Sequence, residues 1–122
     1  MARGKILVID DEESIRDFVK LFFEDREFDV VSAFDGQDGV EKFDKETFDL
    51  VVCDMLMPRM IGINVLKHIK GKNPEQRVIM MSGVREDSMI ETAKNLGCHL
   101  YLNKPVKLSE LEAKIYECFP EE

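Results

Sequence analysis

The three cysteines, Cys53, Cys98 and Cys118, include no C-x-x-C pair and no Cys/His zinc spacing. An odd, scattered set fits a reducing compartment and excludes a disulfide framework, leaving each as a small apolar residue. No apolar run approaches the roughly 20 residues of a membrane span. The first run is short and ends in acids, so no secretory signal is visible. Positive charge is also scarce, with 17 Lys and Arg against 25 Asp and Glu and a net charge of −8. Such a surface repels a polyanion, which argues against nucleic-acid binding by this chain alone. Internal repeats, low-complexity tracts and linker-like stretches are missing too, and 122 residues suit one domain spanning 1–122. The expected location is the cytoplasm.

At 44% apolar and 34% charged, the chain can build a core and a well-solvated surface. Short apolar runs occur at "KILVI" (5–9), "DVVSA" (29–33), "LVVCD" (50–54), "RVIMMS" (77–82) and "LYLN" (100–103). Continuous rather than alternating apolarity is the pattern of parallel strands covered on both faces. Amphipathic stretches lie between and after them. Their stripes are Ile15, Phe18, Val19 and Phe22; Val40 and Phe43; Val65, Leu66 and Ile69; Met89, Ile90, Ala93 and Leu96; and Leu108, Leu111, Ile115 and Phe119. "GKNP" (71–74) stops the third helix, Gly97 follows the fourth, and Ser109 and Glu112 stand at capping-box spacing in the fifth, with Pro120 beyond it. Five strand–helix repeats predict an α/β fold, a three-layer sandwich with right-handed crossovers. Taken as a flavodoxin-like five-stranded parallel sheet of order 2-1-3-4-5, it puts the switch point between the first and third strands.

In such sheets ligands bind outside the carboxyl ends of the strands, near the switch point of the strand order. The first strand ends in Asp10 and Asp11, the third in Asp54, the fourth in Ser82, and the fifth runs into Lys104. The second ends in "FDG", which reads as an ordinary turn at Asp35–Gly36. Two like charges ~4 Å apart repel by roughly 4 kcal/mol at an effective dielectric of 20, so three acids in one crevice need compensation. A hard divalent cation held through oxygens supplies it, Mg²⁺ in the first place and Mn²⁺ as the alternative. Taken singly, an Asp after a strand is commonly only a helix N-cap, and Asp11 does precede a helix. Acids on two strands, with Ser82 and Lys104 ending two others, make that reading insufficient.

"VIDDEESIR" (8–16), "DLVVCDMLMPRMIG" (49–62), "MSG" (81–83) and "YLNKPV" (101–106) stand in the order and spacing of one family. Over essentially its whole length the sequence resembles the receiver domain of two-component response regulators. The resemblance implies Mg²⁺-dependent transfer of a phosphoryl group from a histidine kinase, or a histidine phosphotransfer protein, to Asp54. It implies Asp11, Asp54 and the backbone carbonyl of Leu56 as metal ligands, with Asp10 acting largely through water. Lys104 and Ser82 would meet the phosphoryl group, Tyr101 would turn inward as the switch residue, and Lys104–Pro105 would be cis. The face of the fourth helix, fifth strand and fifth helix would carry the output to an unknown effector. A regulatory domain that catalyses only its own phosphorylation and dephosphorylation is expected, rather than an enzyme. Leu56 and Val84, the residues two past the acceptor and two past Ser82, flank the path of the hydrolytic water in this family. Both are apolar, which implies a long-lived phosphoryl state.

Three positions depart from the family's pattern. Ile61 stands where Asp is usual, Gly39 lies inside the second helix, and Lys107 occupies the N-cap position of the fifth. The glycine predicts a short or mobile second helix, and the lysine a late start at Ser109. Other classes fit less well. An Asp-nucleophile phosphatase of the haloacid-dehalogenase type needs D-x-D and a cap domain. A flavodoxin-like electron carrier needs a phosphate-cradling loop where Asp10 and Asp11 stand. A degenerate receiver serving only as an interaction module would not need all of the site residues. His68 and His99 read as surface residues.

Overall fold

A computed structural model describes residues 3–57, 59–83 and 87–119 of the chain. Its elements run β1 (Lys5–Ile9), α1 (Glu13–Glu24), β2 (Asp29–Ala33), α2 (Gly36–Lys45), β3 (Leu50–Asp54), α3 (Gly62–Lys72), β4 (Val78–Ser82), α4 (Asp87–Asn95), β5 (Leu100–Asn103) and α5 (Leu108–Glu117). The five strands form one parallel sheet of order β2-β1-β3-β4-β5. The strands sit on the continuous apolar runs because both faces of the sheet are covered.

Alternate residues of each strand feed two cores. Leu7, Ile9, Val51, Cys53, Val78 and Met80 meet α2, α3 and α4 on one face. Ile6, Val8, Val52, Ile79 and Met81 meet α1 and α5 on the other. This is the flavodoxin-like sandwich expected from the sequence. No helix among the described residues is long and apolar enough to cross a membrane.

Several local expectations are corrected. The buried line of α1 is Ile15, Val19 and Phe23, whereas Phe18 and Phe22 are only partly covered. Phe23 wins because it meets Phe28 edge-on, with ring centroids 5.5 Å apart. Helix α2 is not short: it runs ten residues through Gly39. A Cβ at Gly39 would come within 2.6 Å of the Ile9 side chain, so the glycine lets α2 lie close on β1. Asp35 is no mere turn residue, since its carboxylate caps α2 by accepting the Asp38 N–H at 2.8 Å. Helix α5 begins at Leu108 with Lys107 at the N-cap, so Ser109 falls inside the first turn and does not cap it. Gly97 follows α4 in the left-handed region, at φ 98°. Pro120 lies outside the described residues.

Strand β2 is an edge of the sheet. Its Ala33 carbonyl accepts the Asp10 N–H on the β1 side. The Val30 and Ser32 carbonyls instead receive the ammonium groups of Lys20, at 3.4 Å, and Lys42, at 2.7 Å. Both lysines reach the strand from the helices that flank it, α1 and α2.

Candidate functional site

The chain leaves β1 for β2 on one side while β3 lies on the other, so the switch point of the sheet falls between β1 and β3. Asp10 directly follows β1, and Asp54 is the last residue of β3. One carboxylate oxygen from each of Asp10, Asp11 and Asp54 lies within 4.8 Å of the others. Asp10 is 0% and Asp54 4% exposed, whereas Asp11 faces solvent. The Asp10 carboxylate is held in place by the Glu12 N–H, which donates to Oδ1 at 2.8 Å. Arg16 fixes the same turn through the Asp10 carbonyl, also at 2.8 Å.

Lys104 enters from the loop after β5, where its N–H donates to the Ser82 carbonyl at 2.8 Å. The peptide bond from Lys104 to Pro105 is cis. Its ammonium lies 3.2 Å from Asp10 Oδ2, 3.3 Å from Asp54 Oδ2 and 2.5 Å from Glu12 Oε1. Asp10 Oδ2 is buried and accepts no well-directed hydrogen bond among the described residues, so the nearby ammonium is its main compensation. Ser82 ends β4, fully buried beside this group.

The electrostatics follow from this crowding. Burial, then the charge of Asp10, push the Asp54 carboxyl up to about 6, against the pull of Lys104. Burial raises Asp10 as well, opposed by the Glu12 N–H and Lys104. Burial pulls the Lys104 ammonium down, but its bond to Glu12 and the charges of Asp10 and Asp54 outweigh that and leave it raised. The pocket is therefore short of positive charge, and its donors are hard oxygens. Both facts suit Mg²⁺, which the three carboxylates could hold.

The β3–α3 loop leads directly away from Asp54. Its base is closed by the Gly62 N–H, which donates to the Met55 carbonyl at 2.6 Å. Gly62 is required there by space, because a Cβ would fall 2.4 Å from the Asp54 carbonyl oxygen. Leu56 is about half exposed at the rim, and Ile61 stands at the N-cap of α3 without a side-chain bond. Arg59 sits in the left-handed region at φ 72°. Its Nε lies 2.8 Å from Asp35 Oδ2 and its terminal nitrogen 3.4 Å from Oδ1.

Tyr101 lies on β5 against the face that packs on α4, and its hydroxyl finds no hydrogen-bond partner among the described residues. Asp10, Asp11, Asp54, Ser82 and Lys104 thus converge, while Tyr101 stands one layer aside. Val84 and Pro58 lie outside the described residues. His68 pairs on the surface with Asp44 at 2.8 Å. Sequence reasoning missed Glu12. Its one signal was membership of the acidic run "DDEE", and nothing there shows that the third acid, not the second, reaches Lys104.

Comparisons with known proteins agree with this geometry. The profile of the family "Response regulator receiver domain" matches residues 6–116. A "Probable transcriptional regulator ycf27" of Porphyridium aerugineum is 37% identical over 115 residues, covering 94% of this chain and 48% of its own length. The "Regulator of RpoS" of Escherichia coli K12 is 34% identical over 115 residues, covering 93% of this chain and 34% of its own. The chain thus spans a third to a half of these relatives' lengths. Among solved structures, a CheY-like receiver domain protein from Methanospirillum hungatei JF-1 superposes with a TM-score of 0.88 at 30% identity, covering 93% of this chain and 91% of that one. A receiver domain protein from Clostridium thermocellum gives 0.84 at 32% identity, with 95% and 94% covered.

Proposed function

This chain belongs to the response regulator receiver family, a class of regulatory domains, and we propose that residues 1–122 form one receiver domain that takes a phosphoryl group onto Asp54. The donor is a histidine kinase or a histidine phosphotransfer protein. The observation that carries this reading is the convergence of Asp10, Asp11 and Asp54 within 4.8 Å, with Lys104 reaching two of them.

In the transfer, an Asp54 carboxylate oxygen forms a bond to phosphorus as the bond from phosphorus to the donor's imidazole nitrogen breaks. Asp11, Asp54 and the Leu56 carbonyl would hold Mg²⁺, with Asp10 helping largely through water. The bound metal would supply charge stabilisation at the transferring phosphoryl oxygens. Lys104 leaves Asp54 for the phosphoryl group, and the Ser82 hydroxyl turns toward it. The acyl phosphate carries about −2 where the carboxylate carried −1, and these two groups answer the added charge. Tyr101 then moves inward, altering the face of α4, β5 and α5 that an effector reads. Leu56 offers no hydrogen bond to a water approaching behind the phosphoryl group, which favours a long-lived phosphorylated state. The setting for this exchange is the cytoplasm.

Acetyl phosphate with Mg²⁺ tests the reading. Intact-mass measurement should show a single phosphoryl addition. Turnover of acetyl phosphate with no stable addition would indicate a phosphatase, and no reaction at all a degenerate receiver.

The metal assignment has a separate check. Mg²⁺ that binds only the folded chain raises its melting temperature by mass action, by about 2.7 kcal/mol of stability at one hundred times the dissociation constant. Asp11→Ala should erase that rise. A rise of equal size in the variant places the metal elsewhere.

A further inference from the structure

The loop from Met55 to Ile61 must hold the Leu56 carbonyl in one place for that atom to serve as a ligand. At its base the loop is fixed twice: the Met55 N–H donates to Met81 at 2.7 Å and its carbonyl accepts from Gly62 at 2.6 Å. Beyond the base the usual means are weak. Leu56 is only about half covered, and Ile61 contributes no side-chain cap to α3. The far part of the loop is instead held from α2. The Arg59 guanidinium forks onto the Asp35 carboxylate, which is 5% exposed and simultaneously caps α2. Next to it, Met60 passes so close to Gly36 that a Cβ there would lie 2.2 Å from the Met60 carbonyl oxygen. Arg59 keeps a backbone conformation natural to glycine, and the fork is the contact that accounts for an arginine in that place.

We infer that the bidentate Arg59–Asp35 ion pair clasps the β3–α3 loop to the N-terminus of α2 and thereby positions the Leu56 carbonyl for Mg²⁺. Arg59 and Asp35 are positioning residues here. Neither touches the metal or the phosphoryl group. The inference rests on the reading of the acidic crevice as a Mg²⁺ site. It also gives the Ile61 departure a consequence, since the loop then depends on a tether from outside itself.

The test is calorimetric titration of the metal-free protein with MgCl₂. Arg59→Gly keeps the backbone comfortable and removes the fork. Asp35→Asn keeps a competent helix cap and removes the charge. Each should weaken Mg²⁺ binding by about tenfold, the scale seen when partners behind a ligand are lost. Arg59→Lys, with charge but no fork, should fall between these and the wild type. The double variant should lose little more than either single one, because one contact is being removed twice. Melting in EDTA separates a merely structural role. Variants that melt earlier but bind Mg²⁺ like the wild type overturn the inference. If Asp11→Ala abolishes binding while the Arg59 variants keep it, only the clasp falls. If the wild type takes up no Mg²⁺, the reading of the crevice falls and the clasp with it.

Discussion

Asp54→Asn is expected to abolish phosphoryl addition and, without metal, to make the fold more stable. The first effect follows from losing the nucleophilic carboxylate that we propose as the acceptor. The second follows from the charge it leaves behind. Its carboxyl is held at about 6 against an ordinary 3.8, by burial first and the Asp10 charge second. The folded state therefore binds this proton more tightly than the unfolded chain. Ionising Asp54 costs nothing to stability below about pH 4, and the cost grows as pH rises toward about 6 and stays above it. The displacement corresponds to about 3 kcal/mol at neutral pH. That net displacement already includes the opposing pull of Lys104, so removing the charge with Asn is expected to give a gain of up to roughly 3 kcal/mol. Thermal melts in EDTA at pH 8 and pH 4.5 measure it, with a clear gain at the higher pH and a smaller one at the lower. Equal melting of both proteins at pH 8 would refute the electrostatic account, and a phosphoryl group on the Asn variant would refute the acceptor.

Gly62→Ala should destabilise the protein even though it replaces a helical glycine. Helix propensity alone favours alanine by up to about 1 kcal/mol. The new methyl group, however, would lie 2.4 Å from the Asp54 carbonyl oxygen, 2.7 Å from Met55 Cα and 3.0 Å from Met80 Cε. The methionine end can swing away. The two backbone atoms belong to the end of a central strand and cannot. Overpacking of this kind costs about 1–3 kcal/mol and sometimes more, so a net loss near 2 kcal/mol is expected. The strain falls on the residue that carries the acceptor, so phosphorylation by acetyl phosphate should slow in parallel. A more stable alanine variant would show that α3 can shift freely and that the close approach is not required.

The strands were legible because a doubly covered parallel strand writes itself as an unbroken apolar run. The repeated strand–helix pattern gives their parallel sense, whereas their order came with the family resemblance. Asp10, Asp11, Asp54, Ser82 and Lys104 were legible for the same reason: each sits at or just past the carboxyl end of a strand, and the fold brings those ends together. What stayed hidden depends on where long side chains reach. Glu12 meets Lys104 across 92 residues of chain, and Arg59 meets Asp35 across 24. No local pattern encodes either pairing. Gly39 misled for a related reason. Its cost to an isolated helix is readable from sequence, but the Ile9 side chain that fills the space beside it belongs to β1. In α1, a stripe of period 3.6 fits Phe22 and Phe23 almost equally, and the positions of Phe28 and Tyr116, both packed on Phe23, decide between them.

The two lysines that reach β2 from α1 and α2 have a consequence for how this chain meets copies of itself. An edge strand with bare carbonyls is a template onto which another strand can add, the usual start of sheet-to-sheet aggregation. Here the Val30 and Ser32 acceptors are already occupied by ammonium groups. An incoming strand would have to displace both and leave the two ammonium groups with only their carboxylate partners, Glu24 and Asp38. The β2 edge is guarded by charge rather than by bulk.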